Sequence, residues 1–169
     1  MTPFCFAARF IAIACCGLCF SLAQAVELRG RVVAVVDGDT LTLRAADNLP
    51  YRITLAGIDA PELPQDFGQK SKANLAALAL DRQATAHCRA GEQYLRATCV
   101  VRVGGKDIGL AQVQTGMAWW YRPYASEQTV QERADYEQAE FNAKARRLGL
   151  WNSRNPMPPW DWRRGRLNE

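Results

Sequence analysis

The chain has 169 residues, a formal net charge of +4 and 49% hydrophobic residues. This length suits one domain, and the hydrophobic fraction is too high for a disordered chain. The sequence contains no stretch of about 18 or more apolar residues, so it predicts no transmembrane span. Four of the six cysteines fall in the first twenty residues, so the composition averages over two different segments.

Residues 1–25 have the order expected of a secretory signal peptide. One basic residue, Arg9, precedes an apolar run over 10–22, and Ala23, Gln24 and Ala25 follow. A basic start, a hydrophobic run of about a dozen residues and a small-residue ending are typical of such peptides. We therefore expect cleavage after Ala25 and a mature protein that is secreted or periplasmic, with no membrane attachment after cleavage.

Two cysteines, Cys88 and Cys99, remain in the body of the chain. They lie on two β-prone runs that could pair antiparallel. In an oxidising compartment an isolated pair favours a disulfide over a metal site. The sequence therefore predicts a Cys88–Cys99 disulfide, with two separate buried thiols as the alternative.

Strands are predicted first along the mature chain, and helices later. Runs rich in β-branched residues, bounded by turn residues, predict strands at 27–36, 41–44, 51–58, 83–88 and 96–103. Helical periodicity predicts helices over 69–80 and 108–116, the second with Leu110 and Val113 facing inward. Five short strands with interspersed helices predict an α+β fold, a five-stranded β-barrel with about three helices.

The last predicted helix has the clearest start signal. Thr129 and Glu132 have the spacing of a capping box, in which each side chain bonds the other residue's free backbone amide. Gly149 stands where a C-terminal cap is expected. Apolar residues follow the cap at helical spacing: Val130, Ala134, Phe141, Ala145 and Leu148.

The mature chain divides into a domain over 26–150 and a tail over 151–169. Residues 151–162 hold three tryptophans and three prolines, which is too apolar for a free linker. We expect this tail to pack on the domain.

Four carboxylates are concentrated in two short motifs, each at the end of a predicted strand: Asp37, Asp39, Asp59 and Glu62. Clustered carboxylates repel one another unless a cation or a proton relieves the repulsion. A set of oxygen ligands without a nearby histidine or cysteine suits a hard cation such as calcium or magnesium. Each motif alone is more typical of an ordinary turn, so the combination carries the prediction.

That combination resembles the staphylococcal nuclease (thermonuclease) family. The two motifs read VVDGDTL at 35–41 and LAGIDAPE at 55–62. The likeness continues through FGQKS at 67–71, GMAWWY at 116–121, GLW at 149–151 and PPWDWRR at 158–164. The last segment is similar to the tail of secreted bacterial members.

The resemblance implies an OB-fold barrel and a calcium-dependent phosphodiesterase that cuts DNA and RNA. The matching metal ligands are Asp39 and Asp59, with a backbone carbonyl from Ala60. Glu62 is the matching residue that orients or deprotonates the attacking water. Such enzymes also use two arginines as bidentate clamps on the phosphate.

The sequence departs from this pattern around both arginines. The first arginine position is occupied by Thr54, and the nearest arginine is Arg52 on the same face of the predicted strand. Arg52 is either a substitute that reaches the pocket or a solvated strand charge, and both readings stay open. The second position retains Arg96, our candidate for the transition-state clamp, although the residues before it differ from the family pattern. Activity is expected to be weak, altered or absent if a clamp is lost.

Aromatic and basic residues near the predicted site match positions that contact nucleotides in the family. Trp119, Tyr121 and Arg122 are the matching residues, and aromatic faces beside cations suit single strands of any sequence. Alternatively, the aromatic run 119–121 covers the barrel core.

Two functions follow from these observations. The preferred one is a secreted, metal-dependent nuclease of DNA, RNA or both, with little sequence preference and acting as a monomer without an obligate protein partner. The alternative is a non-catalytic module of the same fold that binds nucleic acid or a protein. Retention of Asp39, Asp59 and Glu62 favours the enzyme, because a pure binding module has no reason to keep a repulsive cluster.

Overall fold

The structure is a computed structural model that describes residues 26–89 and 95–166. The predicted signal peptide, residues 1–25, lies outside the described residues, and so does the segment 90–94 that precedes Arg96. Within the described ranges, no helix is both long and apolar enough to cross a membrane.

The described residues form short strands and helices in alternation. In chain order the strands are β1 (Val26–Val35), β2 (Thr40–Ala45), β3 (Pro50–Leu55), β4 (Ile58–Asp59), β5 (Gln83–Cys88), β6 (Arg96–Val103), β7 (Lys106–Asp107) and β8 (Trp119–Trp120). The α-helices are α1 (Gly68–Ala79), α2 (Ile108–Gln114), α3 (Val130–Ala145) and α4 (Pro159–Arg166). Two 3-10 helices cover Arg122–Glu127 and Gly149–Asn152.

The five long strands close into a barrel. The sheet order is β3-β2-β1-β5-β6-β7, and its neighbours pair antiparallel. Parallel pairing of β3 with β6 joins the two sides and closes the barrel. The predicted α+β fold with a five-stranded OB-type barrel is confirmed, and α4 is a helix that the sequence pattern did not predict.

Alternation along the strands builds the core. Leu41 and Leu43 on β2, and Ile53 and Leu55 on β3, point inward and are almost completely buried. Residues between them face outward, as expected for period-two side-chain placement. One face of each strand is therefore free to carry polar residues.

The predicted third strand is interrupted before its end. β3 ends at Leu55, Gly57 adopts a left-handed backbone with φ 76°, and Ile58–Asp59 then pairs with β8. The turn redirects the chain out of the barrel sheet, so Asp59 stands on a separate two-stranded ribbon opposite Trp119.

The capping box of α3 is confirmed, but the apolar spacing does not mark its buried face. Val130 and Phe141 are 75% and 64% exposed, whereas Tyr136, Ala139 and Ala143 are buried. The Tyr136 hydroxyl donates to Asp107 on the neighbouring strand β7. This bond joins the buried face of α3 to the barrel sheet.

The helix also ends earlier than the predicted cap. α3 stops at Ala145, and Gly149 instead begins the 3-10 helix that follows. Gly149 packs its backbone on Gly116: a Cβ at Gly149 would lie 2.2 Å from the Gly116 carbonyl oxygen. The Leu150 amide donates to the same oxygen at 2.9 Å. Both glycines have left-handed φ values, so this close contact fixes where the tail leaves α3.

Tryptophans hold the tail against the barrel. The rings of Trp119 and Trp151 meet edge to face at 4.3 Å between centroids, and Trp160 approaches Trp119 at 5.7 Å. Pro159, at the start of α4, is almost fully buried. The Gln65 side chain also donates to the carbonyl of Met157. These contacts place α4 beside the mouth of the barrel.

The predicted disulfide is confirmed. Cys88 and Cys99 are directly opposite in the β5–β6 register and are joined by an S–S bond. Both are buried. The bond closes a loop with a sequence separation of 11 residues.

Replacing both cysteines by serine is expected to lower the free energy of unfolding by about 3 kcal/mol, because a short covalent loop restricts the unfolded chain. Urea unfolding followed by circular dichroism measures the change. A reducing agent should lower the unfolding midpoint of the wild-type protein and leave that of the double variant unchanged. Equal midpoints for the wild type and the variant would contradict the expectation.

Candidate active site

The turn between β1 and β2 presents Asp39 at the barrel mouth. The Asp39 amide donates to the Asp37 side chain at 3.1 Å, which shapes the turn. Asp39 Oδ1 accepts from the Thr40 hydroxyl at 2.9 Å, and Oδ2 accepts from the Ala60 amide at 2.8 Å. The Asp39 carboxylate is thereby tied to the second motif through the Ala60 amide.

A buried glutamine holds this turn in place. Gln112 on α2 is completely buried, and its Nε2 donates to the Gly38 carbonyl at 2.6 Å and to the Ser71 carbonyl at 3.1 Å. Asn74 donates to its Oε1. Gln112 was not among the site residues predicted from the sequence. The available signal was a polar residue beside the inward-facing Val113.

The second motif sets Asp59 and Glu62 on either side of a tight connection. Asp59 is on β4, and the Glu62 carbonyl accepts from the Gln65 amide at 2.8 Å. Helix α1 starts directly against this turn: a Cβ at Gly68 would lie 2.0 Å from the Glu62 carbonyl oxygen. The position of Glu62 therefore depends on a glycine at the first residue of α1.

The two motifs face one cavity of about 490 Å³. Its charged lining residues in the described part of the chain are Asp37, Asp39, Asp59, Glu62, Arg89 and Arg163. Thr54, Thr98, Tyr121 and Tyr124 also line it. The four predicted carboxylates are thus brought together, with two arginines that the sequence analysis did not assign to the site.

Burial disfavours the ionised forms of the clustered carboxylates. Burial, together with the neighbouring Asp37 and Asp59 carboxylates, raises the pKa of Asp39 to about 7, although the hydrogen bond from Ala60 opposes the shift. Burial also raises the pKa of Asp59, although Arg163 opposes the shift. A cation beside these groups would offset the cost of keeping them ionised.

Arg163 on α4 bonds directly to two of the carboxylates. Its Nη2 donates to Asp59 Oδ2 at 2.7 Å, and its Nη1 donates to Asp59 Oδ1 at 3.1 Å and to Glu62 Oε1 at 2.8 Å. These bonds raise the pKa of the Arg163 guanidinium above its usual range. The guanidinium therefore remains charged while it bridges the predicted metal ligand and the predicted base.

Arg52 and Arg96, the two arginines predicted to bind phosphate, lie side by side on neighbouring strands, two residues from the cavity lining. Arg52 and Arg96 are partners in the parallel β3–β6 register, and Thr54 and Thr98 are the next partners on the same face. Only the threonine pair lines the cavity. A two-residue step along a strand is about 6–7 Å, which long arginine side chains can partly span.

The predicted nucleotide-contacting residues point in different directions. Tyr121 lines the carboxylate cavity. Trp119 is packed against Trp151 and Trp160 instead. Arg122 donates to the buried Glu140 at 3.0 Å and lies over the Trp120 ring. Tyr121 is therefore the member of this group that is next to the carboxylates.

The oxygen donors suit a hard cation, but they do not make a complete cage. In residues 26–89 and 95–166, no three histidine, cysteine or acidic side chains are grouped closely enough to hold a metal ion by themselves. Asp39 and Asp59 together with a backbone carbonyl and solvent fit the oxygen preference of calcium, which accepts mixed ligands. The chemistry of the donor set is therefore compatible with the predicted metal.

Comparison with known proteins identifies similar chains. Residues 52–153 match the family described as Staphylococcal nuclease homologue. An uncharacterized endonuclease of Haemophilus influenzae is 40% identical over 134 residues, which cover 79% of this chain and 72% of that protein. A micrococcal nuclease of Shigella flexneri is 36% identical over 151 residues, which cover 84% of each chain. Protein ParB of Escherichia coli is 34% identical over 149 residues, covering 82% of this chain and 80% of its own.

Replacing Gly68 by alanine is expected to destabilise the protein, although alanine normally stabilises a helix by about 0.5–1 kcal/mol relative to glycine. The new Cβ would overlap the Glu62 carbonyl, so the turn that carries Glu62 must shift. We expect a lower thermal unfolding midpoint. Gly165→Ala is the matched control, because nothing lies within 4 Å of a Cβ there. A Gly68→Ala variant as stable as the control would contradict the contact.

Proposed function

Since the chain belongs to the staphylococcal nuclease family, we propose that it is a nuclease that hydrolyses phosphodiester bonds of DNA, RNA or both with the help of calcium. The observation that carries the proposal is the convergence of Asp39, Asp59 and Glu62 on one cavity. The relatives named endonuclease and micrococcal nuclease support the same reaction class.

We assign the base to Glu62. Its carboxylate lines the cavity and is partly exposed, so water reaches it. In the proposed step, water oxygen bonds to phosphorus while the bond from phosphorus to the leaving sugar oxygen breaks. Glu62 takes the proton of the attacking water, and solvent returns a proton to the leaving oxygen. General base catalysis of this kind contributes about 10²–10⁴-fold.

Asp39 and Asp59, with the Ala60 carbonyl, are the proposed metal ligands. A bound calcium or magnesium ion supplies a Lewis acid that neutralises charge developing on the phosphoryl oxygens. The hydrogen bonds to Asp39 from Thr40 and Ala60 fix the orientation of that carboxylate before any ion binds. Preorganised ligands of this kind lower the reorganisation needed on binding.

Thr54 provides only a neutral hydroxyl where the family resemblance expects an arginine. Arg52 and Arg96 are adjacent on the outer face of the barrel, two residues from the cavity. We propose that they hold phosphates of the bound strand, with Arg96 nearer the role of clamp. Tyr121, which lines the cavity directly after β8, extends the proposed path of the strand. Trp119 and Arg122 are left out of this path, because Trp119 packs on Trp151 and Arg122 bonds to Glu140.

We further propose that the protein works outside the cytoplasm, after removal of residues 1–25. The order of charges and apolar residues in that segment supports export. The Cys88–Cys99 disulfide supports it independently, since such bonds persist in oxidising compartments.

Glu62→Gln is expected to lower the cleavage rate of single-stranded DNA by about 10²–10⁴-fold, because the amide cannot accept the proton. The purified protein is incubated with a fluorescent oligonucleotide in calcium, in magnesium and in chelator. Asp66→Asn, an exposed carboxylate four residues along, is the matched control. Binding of the oligonucleotide without metal-dependent cleavage by the wild type would instead support the non-catalytic binding module.

Arg52→Ala and Arg96→Ala are each expected to weaken the binding of a single-stranded oligonucleotide. Loss of one phosphate contact should reduce the slope of log affinity against log salt by roughly 0.7. Fluorescence anisotropy in a Glu62→Gln background measures this slope without cleavage. Arg31→Ala, an arginine on β1 that donates to the Asp81 carbonyl, is the control. An unchanged slope for Arg52→Ala would indicate that Arg52 is a solvated strand residue that does not contact phosphate.

A further inference from the structure

Arg163 is delivered to the carboxylate cavity from a distant part of the chain. It lies on α4, 104 positions from Asp59 and 101 from Glu62, and beyond the segment 52–153 that matches the family. Three hydrogen bonds nonetheless join its guanidinium to these two carboxylates. The arrangement therefore places the permanent positive charge of Arg163 directly against Glu62, the proposed base.

Packing of α4 against the barrel holds Arg163 in this position. Trp160, three residues before Arg163, lies against Trp119 and Tyr121 with ring centroids 5.7 Å and 5.8 Å apart. Buried Pro159 anchors the first turn of the helix. Arg163 lines the cavity and its side chain is 47% exposed, so its contacts with the carboxylates do not enclose it.

The geometry also suits an incoming phosphate. A water molecule activated by Glu62 must contact both that carboxylate and phosphorus, so the phosphoryl oxygens come within reach of a guanidinium already bonded to Glu62. A guanidinium has five N–H donors in a planar fork and binds phosphate bidentately. Arg89, the other described arginine of the cavity, is instead paired with Glu127 and stacked over Tyr124.

We propose that Arg163 is a catalytic residue that contacts the scissile phosphate and stabilises charge developing on its oxygens, a clamp supplied by the C-terminal helix in place of the one missing at Thr54. The inference rests on the proposed nuclease function. Arg163 holds Asp59 and Glu62 before substrate and metal bind, and turns its remaining donors to the phosphate when the strand enters. Groups that stabilise such charge commonly contribute about 10²–10³-fold to kcat.

The test compares Arg163→Ala, Arg163→Lys and the wild type in cleavage of a short single-stranded oligonucleotide at saturating calcium. We expect Arg163→Ala to lower kcat by about 10²–10³-fold with a smaller change in KM, and lysine to restore only part of the loss. Arg164→Gln removes the same charge from the next position of α4, where the arginine pairs with Asp161, and should cleave at the wild-type rate. Thermal unfolding of each variant reports whether α4 remains packed.

Chemical rescue separates a catalytic role from a structural one. Free guanidinium ion at millimolar concentration should restore part of the Arg163→Ala rate and leave the Arg164→Gln rate unchanged. A folded Arg163→Ala variant that is not rescued, or that cleaves as fast as or faster than the wild type, overturns the inference. Cleavage by Arg163→Ala as fast as or faster than by the wild type would indicate that Arg163 blocks the site and competes with the metal. A wild-type protein that does not cleave at all overturns the proposed function and this inference with it.

Discussion

Parallel pairing of β3 with β6 is the contact on which the remaining architecture depends. Every other long strand pair is antiparallel, and this one pairing converts an open sheet into a closed barrel. It also ends at the barrel mouth, where the Leu55 amide donates to the Asp39 carbonyl and the Ala56 amide donates to the Cys99 carbonyl. The turn after β1, the exit of β3 and the disulfide-bearing strand therefore meet at one point, and the acidic motifs converge there.

Convergence of carboxylates has a physical cost that the rest of the site offsets. Desolvation disfavours the ionised forms of Asp39 and Asp59, and their mutual repulsion adds to it. The structure meets this cost with backbone amides, a threonine hydroxyl and one arginine from α4. These contacts offset only part of the cost, because the pKa values of Asp39 and Asp59 remain raised.

Local signals in the sequence were sufficient for much of the fold. The capping box of α3, the Cys88–Cys99 pair and the strand-end carboxylates each depend on residues close in the chain or on one strand register. The buried face of α3 could not be predicted in this way, because Tyr136 and Glu140 are buried through bonds to other elements. Gln112 and Arg163 were missed for the same reason: each acts on residues tens of positions away, and no local periodicity encodes such a contact.

The backbone contact between Gly116 and Gly149 has a consequence for how this chain can vary in length. It fixes the point at which the tail leaves the domain, and Trp151, Trp160 and Arg163 are reached from that point by a path of set length. An insertion or deletion between Gly149 and Arg163 would leave the barrel intact while moving the guanidinium off the carboxylates. The tail should therefore tolerate exchange of its exposed side chains, whereas its residue count is constrained as strictly as that of a strand in the barrel.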